Sequence, residues 1–90
     1  MKLKYDFCFQ KYDDQYLAIA DYLEDESNKK LLWIDDVGKD IMELLVVDLS
    51  FDELILAIKN IYNGEDDVIK NGVNEFIKKL DEAGLLDKDE

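Results

Sequence analysis

Histidine is absent and cysteine occurs once, at Cys8, so carboxylates are the one residue type present in numbers that could do chemistry. They cluster as Asp13-Asp14, Glu24-Asp25-Glu26, Asp35-Asp36 and Glu65-Asp66-Asp67. Clusters of this kind could hold calcium or act as an acid/base pair. None has the alternating ligand spacing of a calcium loop with its central glycine and closing glutamate. Two of the four stand where helices are expected to begin, and negative charge is favourable there for structural reasons alone. Cys8 lies between Phe7 and Phe9 with no activating base in sight, and no glycine-rich phosphate loop precedes a helix. The expectation is a chain with no catalytic residue, no metal and no cofactor.

Binding chemistry is better supplied than catalysis. Lys29 and Lys30 lead into Leu31-Leu32-Trp33-Ile34, a short run that holds the chain's single tryptophan. The overall balance limits the partners, with 23 acids against 11 lysines and a net charge of −12. A nucleic-acid binder needs a concentrated basic face to release counterions, and an anionic membrane makes a similar demand. Neither partner is expected. No apolar run approaches the roughly 20 residues needed to cross a bilayer, and no signal segment opens the chain. Together with the lone cysteine this points to a reducing, cytoplasmic setting.

These residues must be positioned by one small core, because 90 residues close a single domain. Tyr5, Phe7 and Phe9 alternate with polar residues and predict a strand; Lys11 to Asp14 turns the chain; Tyr16 to Tyr22 and Lys30 to Ile34 predict two more strands. From Ile34 the period changes. Asp35 or Asp36 is placed to cap a helix carrying Val37, Ile41, Met42, Leu44 and Leu45. Ser50 and Glu53 form a capping-box pattern for a second helix that ends at Asn63-Gly64. A third begins at Asp66 or Asp67, presents Val68, Ile69, Val73, Phe76, Ile77, Leu80 and Ala83, and stops at Gly84. The expected architecture is α+β, a three-stranded antiparallel sheet followed by three helices, in one domain over residues 1–86 with a disordered acidic tail at 87–90.

The run from Leu32 through Leu45, with an aliphatic strand end, a short polar cap and an Ile41-x-x-Leu44 stripe, resembles the third strand and first helix of the PqqD-like family. Ser50-Phe51-Asp52-Glu53-Leu54, Ile58 to Tyr62, and Val73-x-x-Phe76-Ile77-x-x-Leu80 with Ala83-Gly84-Leu85-Leu86 are similar to the remainder of that family. The order, lengths and gaps agree over about residues 5 to 86, although no piece is diagnostic alone. The resemblance implies a winged helix-turn-helix precursor-peptide recognition element. Such a domain binds the leader segment of a ribosomally made peptide and presents it to a modifying enzyme, often a radical S-adenosylmethionine enzyme. It also implies that the leader adds as a strand against the third strand, in a groove beside the third helix.

On that footing the expected binding residues are Lys29, Lys30, Leu31, Leu32 and Trp33 on the strand, with Lys70, Val73, Asn74 and Ile77 as the facing helical wall. Strand addition needs an open edge and pockets for alternate side chains. Lysines beside such an edge also discourage it from pairing with copies of itself. Phe76, Ile69 and Leu80 are expected in the core. Trp33 is open to either reading, since a tryptophan in so small a domain is more often core than binding site. The competing functions are a DNA-binding winged-helix regulator, which the mixed charge of the third helix disfavours, and a module that binds a folded protein.

Overall fold

The computed structural model describes residues 1–20 and 31–87. Lys2–Leu3 (β1) is followed by Phe7–Tyr12 (β2), Gln15–Ala20 (β3) and Leu31–Ile34 (β4). Helices Asp36–Leu44 (α1), Phe51–Ile61 (α2) and Asp66–Glu82 (α3) come next, and Leu86–Asp87 (β5) closes the chain. β2, β3 and β4 form an antiparallel meander in that order, giving the winged helix-turn-helix arrangement.

The first hairpin is longer and tighter than its pattern suggests. Tyr12 pairs with Gln15, so only Asp13 and Asp14 turn the chain, and Lys11 and Tyr12 belong to β2. Asp13 has φ 54°, a left-handed conformation that aspartate tolerates because its short side chain can bond locally. Tyr5 lies outside β2, which starts at Phe7. Along β4 the residues alternate cleanly, with Leu32 and Ile34 toward the core and Leu31 and Trp33 toward solvent. Lys29, Lys30 and the expected end of the second strand at Asp21 and Tyr22 lie outside the described residues.

All three helices start where charge and capping dictate. The Asp35 carboxylate accepts from the Gly38 amide at 2.8 Å. Ser50 and Glu53 complete a reciprocal capping box, with the Ser50 amide donating to Glu53 at 2.9 Å and the Glu53 amide donating to Ser50 Oγ at 3.1 Å. α3 has no side-chain cap at Glu65, and Asp66 and Asp67 in its first turn face the positive end of the helix dipole instead. Gly84, with φ 74°, ends α3 in a form that a Cβ would strain.

The core lies between the inner sheet face and the helices, around Ala18, Ile34, Ile41, Leu54, Ile58 and Leu80. Leu85 and Leu86 join it as the expected final packed pair. One element goes unforeseen: Lys2 pairs with Asp87 and Leu3 with Leu86, so β1 and β5 form a separate two-stranded ladder. Asp87 is therefore half-buried within a strand and is no part of a frayed tail, while residues 88–90 lie outside those described. Two-residue strands leave no periodicity to read.

Candidate peptide-binding edge and groove

β4 has β3 along one edge and no strand along the other among the described residues. α3 flanks the open side, where Lys79 Nζ donates to the Trp33 carbonyl oxygen at 3.3 Å. Two adjoining cavities lie against α3, the smaller of them between it and β4. The smaller, of about 220 Å³, is lined by Gln15, Trp33, Ile34, Asp35, Phe76 and Lys79. The larger, of about 520 Å³, runs between α1 and α3, and its walls include Gly38, Ile41, Tyr62, Val68, Gly72 and Val73. Asp35, Phe76 and Lys79 line both, so the two are parts of one groove with Phe76 at their junction.

Gly38 sets the position of that ring. A Cβ at residue 38 would stand 2.8 Å from Phe76 Cε1 and 3.1 Å from Ile34 Cβ. The missing side chain thus lets α1, β4 and α3 converge at the groove floor. At the far end the Tyr62 hydroxyl donates to the Asp40 carboxylate, tying the end of α2 to α1. That hydrogen bond, with burial and the negative charge of Asp40 adding to it, pushes the Tyr62 pKa up to about 12 from the ordinary 10.0. Charged groups on the groove wall are few: Asp35, Glu75 and Lys79. The lining is otherwise mainly apolar and suited to holding apolar side chains. Among the described residues no group of three or more His, Cys, Asp or Glu gathers as a metal site. No helix among them is long and apolar enough to cross a membrane.

The PqqD family, described as coenzyme PQQ synthesis protein D, matches residues 22–86. The chain belongs to this family. No curated protein matches it. A solved structure titled "TbiB1 in Complex with the TbiA(beta) Leader Peptide" is similar to it, with a TM-score of 0.72, 21% identity, and coverage of 100% of this chain and 99% of that one. At that identity the likeness is one of fold.

For this PqqD-family chain the expected site residues separate according to whether they line the groove. Trp33 is exposed and borders the smaller cavity, which places it outside the core. Leu31 and Leu32 share its strand but point to opposite faces and line neither cavity. Val73 is 1% exposed and forms part of the floor of the larger cavity, so it is a core residue that the groove touches. Lys70, Asn74 and Ile77 line neither cavity, and Ile77 packs half-buried against the core. The helical wall is instead Val68, Gly72, Glu75, Phe76 and Lys79. At about 100° per residue, Ile77 and Asn74 sit on the margin of the apolar stripe opposite to Gly72 and Lys79. Leu80 is core as expected, whereas Ile69 and Phe76 also line the groove. The three-and-four spacing of Val68, Gly72, Glu75, Phe76 and Lys79 was the available signal, but its mixed polarity looks like an ordinary solvated face.

Proposed function

We propose that this chain is a non-catalytic, cytoplasmic peptide-binding module. It captures the leader of a ribosomally made precursor as an added strand on β4 and presents it to a modifying enzyme, a radical S-adenosylmethionine enzyme in the leading case. The observation that carries this reading is the β4 edge, open among the described residues, with a small cavity between it and α3 that runs on into the apolar cavity between α1 and α3. An edge supplies main-chain hydrogen bonds of no particular sequence, and the groove supplies the selection. TbiB1, whose fold this chain shares, has been solved with a leader peptide, which supports the same use here.

The binding residues on this reading are Leu31, Leu32 and Trp33 of β4 with Phe76 and Lys79 of α3, over a floor that includes Val73. Lys29 and Lys30, immediately before β4 in sequence, remain candidates to meet acidic leader residues. The working unit is a single domain that takes in Asp87 of β5. The acidic surface, with Glu75 and Asp81 on α3, weighs against duplex DNA as the ligand. Amide hydrogen exchange with and without a synthetic precursor leader peptide, chosen from a panel by calorimetric binding to this protein, tests the proposal. The amides of Leu31–Ile34 should exchange more slowly in the complex. Unchanged exchange in β4 at saturating peptide would remove the strand-addition reading.

A further inference from the structure

The solvent face of the sheet carries more apolar surface beside the open edge than a meander requires. Leu31 is 60% exposed and Trp33 52% exposed. Across the ladder they stand opposite Ile19 and Leu17, both half-buried. Tyr12 meets the Trp33 ring edge-on, with centroids 5.6 Å apart and planes at 66°, and its hydroxyl donates to Gln10 Oε1 at 2.8 Å. Tyr12 thus buttresses the indole, which stays half exposed, on a strand whose outer edge has no partner strand among the described residues.

Open edges are ordinarily blunted by charge, by proline or by a bulge. Between Leu31 and Ile34 there is no charged residue and no proline. A strand added here must alternate its side chains between the two faces of the sheet. On the inner side they stand beside Leu32 and Ile34, over the groove of Phe76 and Lys79. On the outer side they stand beside Leu31 and Trp33, with Cβ atoms about 5 Å away across the new pair. The outer neighbours thus cover the exposed flank of the indole, and only large apolar side chains remove that flank from water.

Resting on the strand-addition reading, we propose that the bound peptide is read on both faces of the sheet. The ledge formed by Leu31 and Trp33, backed by Tyr12, Leu17 and Ile19, is a second specificity site on the outer face of the sheet. It takes two large aliphatic or aromatic side chains from alternate positions of the leader. The ligand class is therefore a peptide whose four pairing residues are apolar at adjacent positions, two turned to the groove and two to the ledge. A leader apolar on one alternation only would fill the groove and leave the ledge wet.

Trp33 is the only tryptophan of the chain, so its emission reports directly on the ledge. The probe is the same synthetic leader peptide, titrated into wild type, Trp33→Ser and Leu31→Ser, with hydrogen exchange of β4 recorded alongside. Wild-type emission should shift to shorter wavelength on binding. Trp33→Ser should weaken affinity about tenfold and Leu31→Ser several-fold, as expected for central apolar contacts, while both variants keep the wild-type circular dichroism spectrum and melt. A serine scan of the leader should then show two interleaved sets of sensitive positions, one rescued in neither variant and one already silent in Trp33→Ser. If β4 amides become protected while the emission stays put and both variants bind like wild type, the ledge is no site and the groove alone reads the peptide. If β4 amides are not protected at all, strand addition itself fails and takes the ledge with it.

Discussion

Alanine at Gly38 separates two opposing effects whose sizes follow from the geometry at the groove floor. Within a helix, replacing glycine by alanine ordinarily stabilises by up to about 1 kcal/mol, because the unfolded chain loses freedom and the helix gains propensity. Here the new Cβ would come within 2.8 Å of Phe76 Cε1, 3.0 Å of Phe76 Cζ and 3.1 Å of Ile34 Cβ. The approach to Ile34 Cβ needs only a few tenths of an ångström of give, so the half-buried Phe76 ring carries most of the overlap. Overpacking of this order costs about 1 to 3 kcal/mol. The overlap should win, leaving Gly38→Ala less stable by about 1 kcal/mol, a fall in melting temperature of roughly 4 to 8 °C for a domain of this size. Urea denaturation of Gly38→Ala, Phe76→Leu and the double variant isolates the cause. Leucine lacks the ring atoms that collide, so alanine at 38 should be nearly neutral in the Phe76→Leu background, a coupling of about 1 kcal/mol. Additive effects, or a Gly38→Ala protein as stable as wild type, would show that the close approach of α1 to Phe76 is not what requires glycine.

The remaining expectations concern the other contacts around the groove. Titrated by ultraviolet absorbance, Tyr62 should ionise near pH 12. Because its folded pKa lies above the ordinary 10.0, the stability it contributes is complete below pH 10 and is lost as pH rises through about 12. Asp40→Asn should bring that ionisation down toward the ordinary 10.0. Lys79→Met keeps the apolar stem but releases the Trp33 carbonyl for an incoming strand; leader affinity by calorimetry should rise by up to about threefold, the worth of one competing hydrogen bond. A tenfold loss would mean that the ammonium grips the peptide itself. Ile77→Glu places a charge against the core and should lower stability by roughly 2 to 4 kcal/mol in chemical denaturation. Under conditions where the variant is folded its leader affinity should equal that of wild type, and weakened binding there would return Ile77 to the groove wall.

Element type and order were legible because the patterns were strong: two-residue alternation before Ile34, a Ser50 and Glu53 capping box, and a glycine at 84 where α3 must stop. The helical wall was legible only in part, for a reason built into amphipathic helices. A broad apolar stripe has two margins, and nothing local tells which margin a strand far away in sequence will face. Ile77 and Asn74 occupy one margin and Gly72 and Lys79 the other; the choice depends on how α3 crosses α1, and so on Gly38 meeting Phe76. Trp33 posed a similar problem. Its strand carries large apolar groups on both faces, and only the register with β3 assigns Leu32 and Ile34 to the core. The β1 and β5 ladder left no trace because each strand is two residues long.

That ladder governs the order in which the molecule can be assembled. β2 and β3 are joined by a two-residue turn, so their hairpin forms among near neighbours, whereas Lys2 waits for Asp87. Closing a loop of nearly the whole chain carries the largest entropic penalty, and contacts of such long sequence separation form late. During synthesis from the N-terminus, β4 also emerges before residues 66–82 have been made to flank it as α3. For that interval Leu31 and Trp33 stand on an edge strand that α3 does not yet flank, and the lysines at 29 and 30 are the charges nearest to it in sequence.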